Sequence, residues 1–528
     1  MEKISSLEDI ELSGKKVIVR TAFDVPIDSS KNLLDPSRVS DASRIEDAIR
    51  TLKFLINQNA KIILAAGWLG RPKGEDKDFS MAPVALRLQK ILKENGILKH
   101  DVLLTPNCLD GSRPRSVYRN RNEVIKDVSN LKEGQIILLE NVRYDPEANA
   151  NDEGFARFIA SLAGKNAVYV NEAEAQNHRP EATIVKIPKY VVENGGEAVF
   201  GFKYAEVIKY IGNISKLLDK KERGLFIFFL SGKKIETQVG ITSKISITHS
   251  LLDKMRKSDI IVVSGAVTYT FLLSKEYLGA IEKNMEEAED IINSFNERKK
   301  AETEKISKEG GKDSSQKASD NESKLQKEKS DKLKSLVGIS DEKIKEIIGN
   351  SFVEWKEIGE QIFFAAEVLL KAKSKGVEVL LSKDHTITDC YPDKFGNLPE
   401  TAKIKLYNAP VGIPKGWIGV APGTKTLDCI CDSIRKSYLL ILAGPLSIED
   451  ERVEAFSHAN SRLFNAIKEA KERGAFTIAA GGDTSAIVNR WGGEKVFTLI
   501  SSAGGATLEL IEKGTSPGIK AVYDSYSR

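Results

Sequence analysis

The sequence predicts an α/β protein built from doubly wound parallel sheets in more than one domain. Three observations carry this. Short apolar runs recur ten times along 528 residues, stretches of helical period separate many of them, and ten strands exceed what one compact domain of usual size holds. Strands that are apolar throughout, and not alternating, are those a parallel sheet needs when helices cover both faces.

In chain order the runs are KVIVR (16–20), KIILAA (61–66), IILLE (136–140), AVYV (167–170), LFIFFL (225–230), DIIVV (259–263), VEVLL (377–381), LLILA (439–443), FTIAA (476–480) and VFTLI (496–500). RIEDAIRTLKFLINQ and MAPVALRLQKILKEN show the intervening helical period. Strand–helix alternation pauses near 190–215, which is where two domains are expected to meet. From 299 to 334 the chain is mostly Lys, Glu, Ser, Asp and Gly, with only Ile306, Leu325 and Leu333 as large aliphatics. That composition predicts a solvated insertion with little to pack.

Composition narrows the function. Hydrophobic residues at 41% and charged residues at 29% are ordinary for a soluble enzyme, and a net charge of +4 is too small to favour non-specific nucleic-acid binding. Cys108, Cys390, Cys429 and Cys431 form neither a disulfide framework nor a paired CxxC metal site. The opening MEKISSLEDIELSGKK is too polar for a signal-peptide core, and no apolar run reaches the ~18 residues of a membrane span. The expectation is a cytoplasmic monomer acting on small molecules, with neither a nucleic-acid nor a membrane partner.

Open α/β sheets place ligands beyond the carboxyl ends of their strands. In the first half those positions carry arginines: Arg71 after KIILAA, Arg143 after IILLE, His178-Arg179 after AVYV, and Arg44 at a helix start after the first strand. A single loop arginine is usually solvated surface. Four at strand ends predict an anion site capable of bidentate contacts. In the second half, Gly481-Gly482-Asp483-Thr484 and Gly504-Gly505 stand between strand and helix, where main-chain N–H groups can meet phosphate. Lys233 and Lys234 follow LFIFFL. There is no GxxxxGK[ST], and no GxGxxG follows the first strand.

These segments resemble the phosphoglycerate kinase family. VRTAFDVP, AGWLGRPKGEDKDFSMAPVALRL, LLENVRYDP, VNEAEAQNHR, SGKKIETQVG, SGAVTYTFL, GWIGVAPGTKT, AGPLSIED, GAFTIAAGGDTSA and SSAGGATLEL are similar to the family's motifs and stand in family order. The resemblance covers the chain apart from about 285–350. It implies two lobes facing a central cleft: residues 1–200 for 3-phosphoglycerate, 201–509 for ATP or ADP with Mg²⁺, and 510–528 returning to the first lobe. It implies substrate contacts at Ala22, Phe23, Asp24, Arg44, Trp68, Leu69, Gly70, Arg71, Arg143, His178 and Arg179. Nucleotide contacts are implied at Lys234, Gln238, Gly419, Asp450, Gly481, Gly482, Asp483 and Thr484, with Asp483 holding the nucleotide's Mg²⁺. Lys234, Arg44, Gly504 and Gly505 would serve the transfer itself.

The chain departs from the family pattern at several of these places. Ala22-Phe23-Asp24 stands for DFN, Trp68 for the histidine of HLGR, Gln238 for a second lysine, and Asp450 for a glutamate. Ala421, Ala443, Ala480, Ala503 and Ser264-Gly265-Ala266 replace an aspartate, an asparagine and glycines. Besides the kinase, the sequence therefore leaves open a binding relative without turnover and a kinase for another phosphorylated acid.

Overall fold

The computed structural model describes residues 6–526 apart from 66, 73, 221, 233–243, 310–313, 351–358, 394–396, 409–411, 448–453 and 491. The chain forms two compact units, Met1–Ser215 with Ala506–Arg528, and Lys216–Gly505. The divisions fall inside two helices, Phe202–Asp219 and Gly504–Lys513.

The first unit is a parallel six-stranded sheet. Its strands are β1 (Lys16–Thr21), β2 (Lys61–Ala65), β3 (Leu103–Thr105), β4 (Ile136–Leu139), β5 (Val168–Glu172) and β6 (Glu197–Phe200), in the order β3-β4-β2-β1-β5-β6. Because side chains alternate across a strand, β1 and β2 feed two cores at once. Val17, Val19, Ile62 and Leu64 join one apolar cluster, while Ile18, Ile63 and Ala65 join the other. With β1 central between β2 and β5, the loops leaving β1, β2, β4 and β5 emerge at neighbouring carboxyl ends, the place where such sheets bind ligands.

The second unit holds another parallel six-stranded sheet: β7 (Leu225–Leu230), β8 (Ile260–Val263), β9 (Glu378–Leu380), β13 (Ser437–Ala443), β14 (Phe476–Ala480) and β15 (Leu499–Ser501), in the order β15-β14-β13-β7-β8-β9. A small antiparallel sheet of β10 (His385–Thr388), β11 (Ile404–Tyr407) and β12 (Ile418–Pro422) lies in the same unit. The two parallel sheets are the predicted α/β architecture.

The charged segment corrects an expectation. It is helical, within Met285–Glu309 and Ser314–Val337. Leu325, Leu333 and Val337 are buried, as are Ala288, Ile292 and Phe295 on the preceding helix. Lys329 pairs with Glu360 at 2.5 Å, both nearly buried. The apolar stripe of this hairpin begins before 299 and ends after 334, so composition counted inside those limits cuts it off at both ends.

Candidate functional site

The site in the first unit grows from the strand ends. β1 carries Arg20 one residue before its end, and that side chain is fully buried. Its Nε donates to Thr183 Oγ1 at 2.8 Å and its NH1 to Gln176 Oε1 at 2.7 Å and to the carbonyl of Thr21, while NH2 is buried without a hydrogen-bond partner among the described residues. Desolvation pushes the Arg20 guanidinium down to about 10; Tyr169 and Glu181 oppose that shift, and Arg143 adds to it. The loop after β2 makes room for it. A Cβ at Gly67 (φ +79°) would lie 2.4 Å from Arg20 NH1, so only glycine lets the guanidinium pass.

Next in that loop is Trp68, only 3% exposed. Three guanidinium carbons stand over its ring, those of Arg143 at 4.1 Å, Arg20 at 5.2 Å and Arg179 at 5.7 Å from the centroid. Arg143 also donates from NH1 to the carbonyl of Gly70 at 2.7 Å and lies 3.6 Å from Glu181, while its Nε is buried without a partner among the described residues. Burial lowers its proton affinity; Glu181 offsets this, and the like charges of Arg179 and Arg71 reinforce it. Glu181 is itself buried and shifted upward by desolvation, held back by Arg20, Arg143 and Arg179.

Asp24 is not a bare carboxylate facing an anion. It accepts from the Gly70 N–H at 2.9 Å, and Arg44 lies 3.9 Å from it while donating to its main-chain carbonyl. Ala22, Phe23 and Leu69 are buried, the last two within an apolar core, and Arg71 is exposed. His178 is half-buried with Nδ1 unpartnered among the described residues, and desolvation with the neighbouring Arg179 lowers its proton affinity. The structure thus gathers Arg71, Arg143 and Arg179 with Trp68 and the Asp24–Arg44 pair. Two members of the cluster, Arg20 and Glu181, were not singled out from the sequence. For Arg20 the available signal was the arginine that closes the apolar run KVIVR, beside the arginines after strands that marked the others.

In the second unit, Gly481 (φ +118°) leads into the helix Gly482–Arg490, and Gly504 opens Gly504–Lys513. The two starts touch: a Cβ on Gly504 would lie 3.2 Å from the Cα of Gly481. Asp483 is exposed in the first turn. Thr484 is buried, its Oγ1 accepting from Gly444 N at 2.9 Å and donating to the carbonyl of Ala480 at 3.0 Å. At Gly419 a Cβ would lie 1.9 Å from the Tyr269 hydroxyl, so the packing of that tyrosine requires glycine there. Lys234, Gln238 and Asp450 lie outside the described residues.

A family model described as phosphoglycerate kinase matches residues 7–346 and 342–514. The chain belongs to the phosphoglycerate kinase family. A phosphoglycerate kinase of Clostridium botulinum is 29% identical over 520 residues, covering 98% of each chain, and one of Fervidobacterium nodosum is 27% identical over 525 residues, covering 99% of each. Solved phosphoglycerate kinases from Coxiella burnetii (TM-score 0.58, 22% identity, 100% of both chains) and Pyrococcus horikoshii (TM-score 0.65, 16% identity, 99% of both) share the fold. Membership of this family makes the chain a kinase by class. No described helix is long and apolar enough to cross a membrane.

Proposed function

We propose that the chain is a phosphoglycerate kinase in activity, moving a phosphoryl group reversibly between ATP and 3-phosphoglycerate to give ADP and 1,3-bisphosphoglycerate. The observation that carries this reading is the guanidinium set of the first unit, with Arg20 buried and Arg143 and Arg179 half-buried. Among the described residues Arg20 NH2 and Arg143 Nε are without hydrogen-bond partners, and the nearby carboxylates, Glu181 and the Arg44-paired Asp24, do not balance the guanidiniums gathered there. An anion supplies what that arrangement lacks.

The acceptor carboxylate is ionised at neutral pH, so transfer needs no general base. Its oxygen attacks the γ-phosphorus as the bond to the β-phosphate oxygen breaks, and the protein contributes positioning and charge stabilisation. Arg44, Arg71, Arg143, His178 and Arg179 hold the acid, with Asp24, Trp68 and the Gly70 backbone shaping their arrangement. Ala22, Phe23 and Leu69 contribute main chain. The N–H groups at Gly481–Thr484 and at Gly504 and Gly505 receive phosphate oxygens, and Lys234 accompanies the migrating group. Gln238, Gly419 and Asp450 complete the nucleotide site.

Asp483 suits a Mg²⁺ that arrives with the nucleotide. It is an exposed oxygen donor at the helix start, and no group of three His, Cys, Asp or Glu gathers as metal ligands among the described residues. One carboxylate plus nucleotide phosphates is the coordination this ion commonly accepts. The Mg²⁺ would draw charge from the phosphate oxygens. We place the protein in the cytoplasm as a monomer.

The test is a coupled assay with ATP and 3-phosphoglycerate titrated separately. Saturable turnover in both substrates, abolished by Lys234→Ala with nucleotide affinity little changed, is expected. Binding of both ligands without turnover would replace the kinase by a binding relative. The Asp24–Arg44 pairing favours one further reading, a different phosphorylated acid as acceptor, which a panel of such acids in the same assay would reveal.

A further inference from the structure

Three cations rarely share one small space unless something holds them. Arg20 is buried and Arg143 half-buried, the proton affinity of each is lowered by a neighbouring arginine, and the carboxylates Glu181 and Asp24, the latter already paired with Arg44, leave the three arginines in excess. More carboxylates would quiet the repulsion, but each would occupy guanidinium N–H groups. Trp68 acts differently. Its ring attracts the cations through the π-face, within the ~6 Å over which that attraction operates. It leaves N–H groups unused: NH2 of Arg20 and Nε of Arg143 remain without partners among the described residues.

We propose that Trp68 is the positioning residue of the anion site: its indole face holds Arg20, Arg143 and Arg179 in one array without neutralising them. The inference rests on the reading of this site as the acid-binding one. Trp68 is too buried to be an open binding surface, so it acts through the arginines it orders. The acid's charged group then meets guanidiniums already placed, and less affinity is lost to ordering them on binding. An indole does not ionise, so the array keeps this support across the neutral pH range.

The experiment compares Trp68→Phe with Trp68→Met in the full chain. Phenylalanine keeps an aromatic face; methionine fills much of the space without one. Binding of 3-phosphoglycerate and of inorganic pyrophosphate is measured by calorimetry, with thermal melting as a control on folding. The Met variant is expected to lose about tenfold or more in affinity for both anions and the Phe variant less than about threefold. Equal affinities for the two variants would overturn the proposal, because the ring face would then be irrelevant.

Should the Met variant not fold, ring-fluorinated tryptophan in place of all four tryptophans keeps ring size and weakens the face. Affinity should fall stepwise with fluorination, and should not do so in Trp68→Phe. No fall in the unsubstituted chain would overturn the proposal. A parent that binds pyrophosphate but not 3-phosphoglycerate defeats the proposed acceptor and leaves the Trp68 test running on pyrophosphate. A parent that binds neither defeats both.

Discussion

In the first unit an anion would meet guanidinium side chains, whereas in the second it would meet main-chain N–H groups at two helices started by glycine. The first arrangement is made of residues that must be chosen, charged and held against their mutual repulsion. Trp68, Glu181 and the space left by Gly67 do that holding. The second is made of backbone, and its requirement is negative: nothing may project from Gly481 or Gly504 into the place where the helix starts meet. Side-chain sites therefore fail by loss, and backbone sites by addition.

The largest effect is expected from Arg143→Ala. Arg143 contacts Trp68, the Gly70 carbonyl and Glu181, so its loss disturbs the whole array and leaves Glu181 with one fewer cation. On the proposed reading, turnover should drop about 10²–10³-fold, the scale for removing one preorganised charged donor. Nucleotide affinity should be unchanged. Arg143→Lys should recover little, because a lysine cannot bond in two directions and stack on the indole at once. If lysine restored most of the rate, the stacked geometry would have no functional weight.

The contrast explains what could be read from the sequence. Long apolar strands such as β1, β2, β7, β13 and β14 were legible because a parallel sheet covered on both faces buries nearly every position. The three residues of β3 and the four of β6 (EAVF) were not, since so short a run is set by neighbouring strands rather than by its own pattern. Arg71, Arg143 and Arg179 were legible as charges placed after strands. What gathers them was not. Trp68 read as a substrate contact standing where the family has a histidine, and its place among the arginines became visible when three chain segments met over one ring. In the charged hairpin, Leu325 and Leu333 stood alone in the sequence because the buried Ala288, Ile292 and Phe295 of the helix packed against theirs lie upstream of the charged run.

A smaller effect separates the units by pH. In the first unit Glu172 is buried beneath the start of the helix Phe202–Asp219, accepting from Thr51 Oγ1 and the N–H groups of Lys203 and Tyr204; burial pushes its carboxyl up to about 7. A raised folded value means its stabilising contribution is full below the ordinary 4.5 and is lost as pH rises through about 7. In the second unit burial pushes His385 down to about 4. The folded state disfavours that charge, so stability is full above the ordinary 6.5 and is lost as pH falls toward 4. Going from pH 7 to 5 should therefore stabilise the first unit and destabilise the second, each by about 2 kcal/mol. The opposing slopes would nearly cancel in a single global melt. Hydrogen exchange followed peptide by peptide should resolve them, with Glu172→Gln flattening one and His385→Gln the other. Slopes of the same sign in both units would contradict these burial effects.

The smallest change tests the backbone half of the comparison most cleanly. At Gly481 an alanine would be strained by the positive φ and pressed against Thr484 Oγ1 at 3.3 Å, so any lost activity would be confounded with lost stability. Gly505 is different. A Cβ there meets nothing within 4 Å and no positive φ is imposed, so the protein itself places no demand for glycine. Inside a helix alanine is even favoured over glycine by roughly 0.5–1 kcal/mol. Gly505→Ala should therefore melt no lower than the parent, and slightly higher if anything. On the proposed reading the added methyl group stands at a helix start that receives phosphate, and there it should hinder the close approach that N–H contacts need. Turnover with ATP should fall several-fold at unchanged stability, while binding of 3-phosphoglycerate alone is untouched. A variant that is both more stable and fully active would remove Gly505 from the phosphate-binding surface and leave that work to Gly481, Gly482 and Gly504.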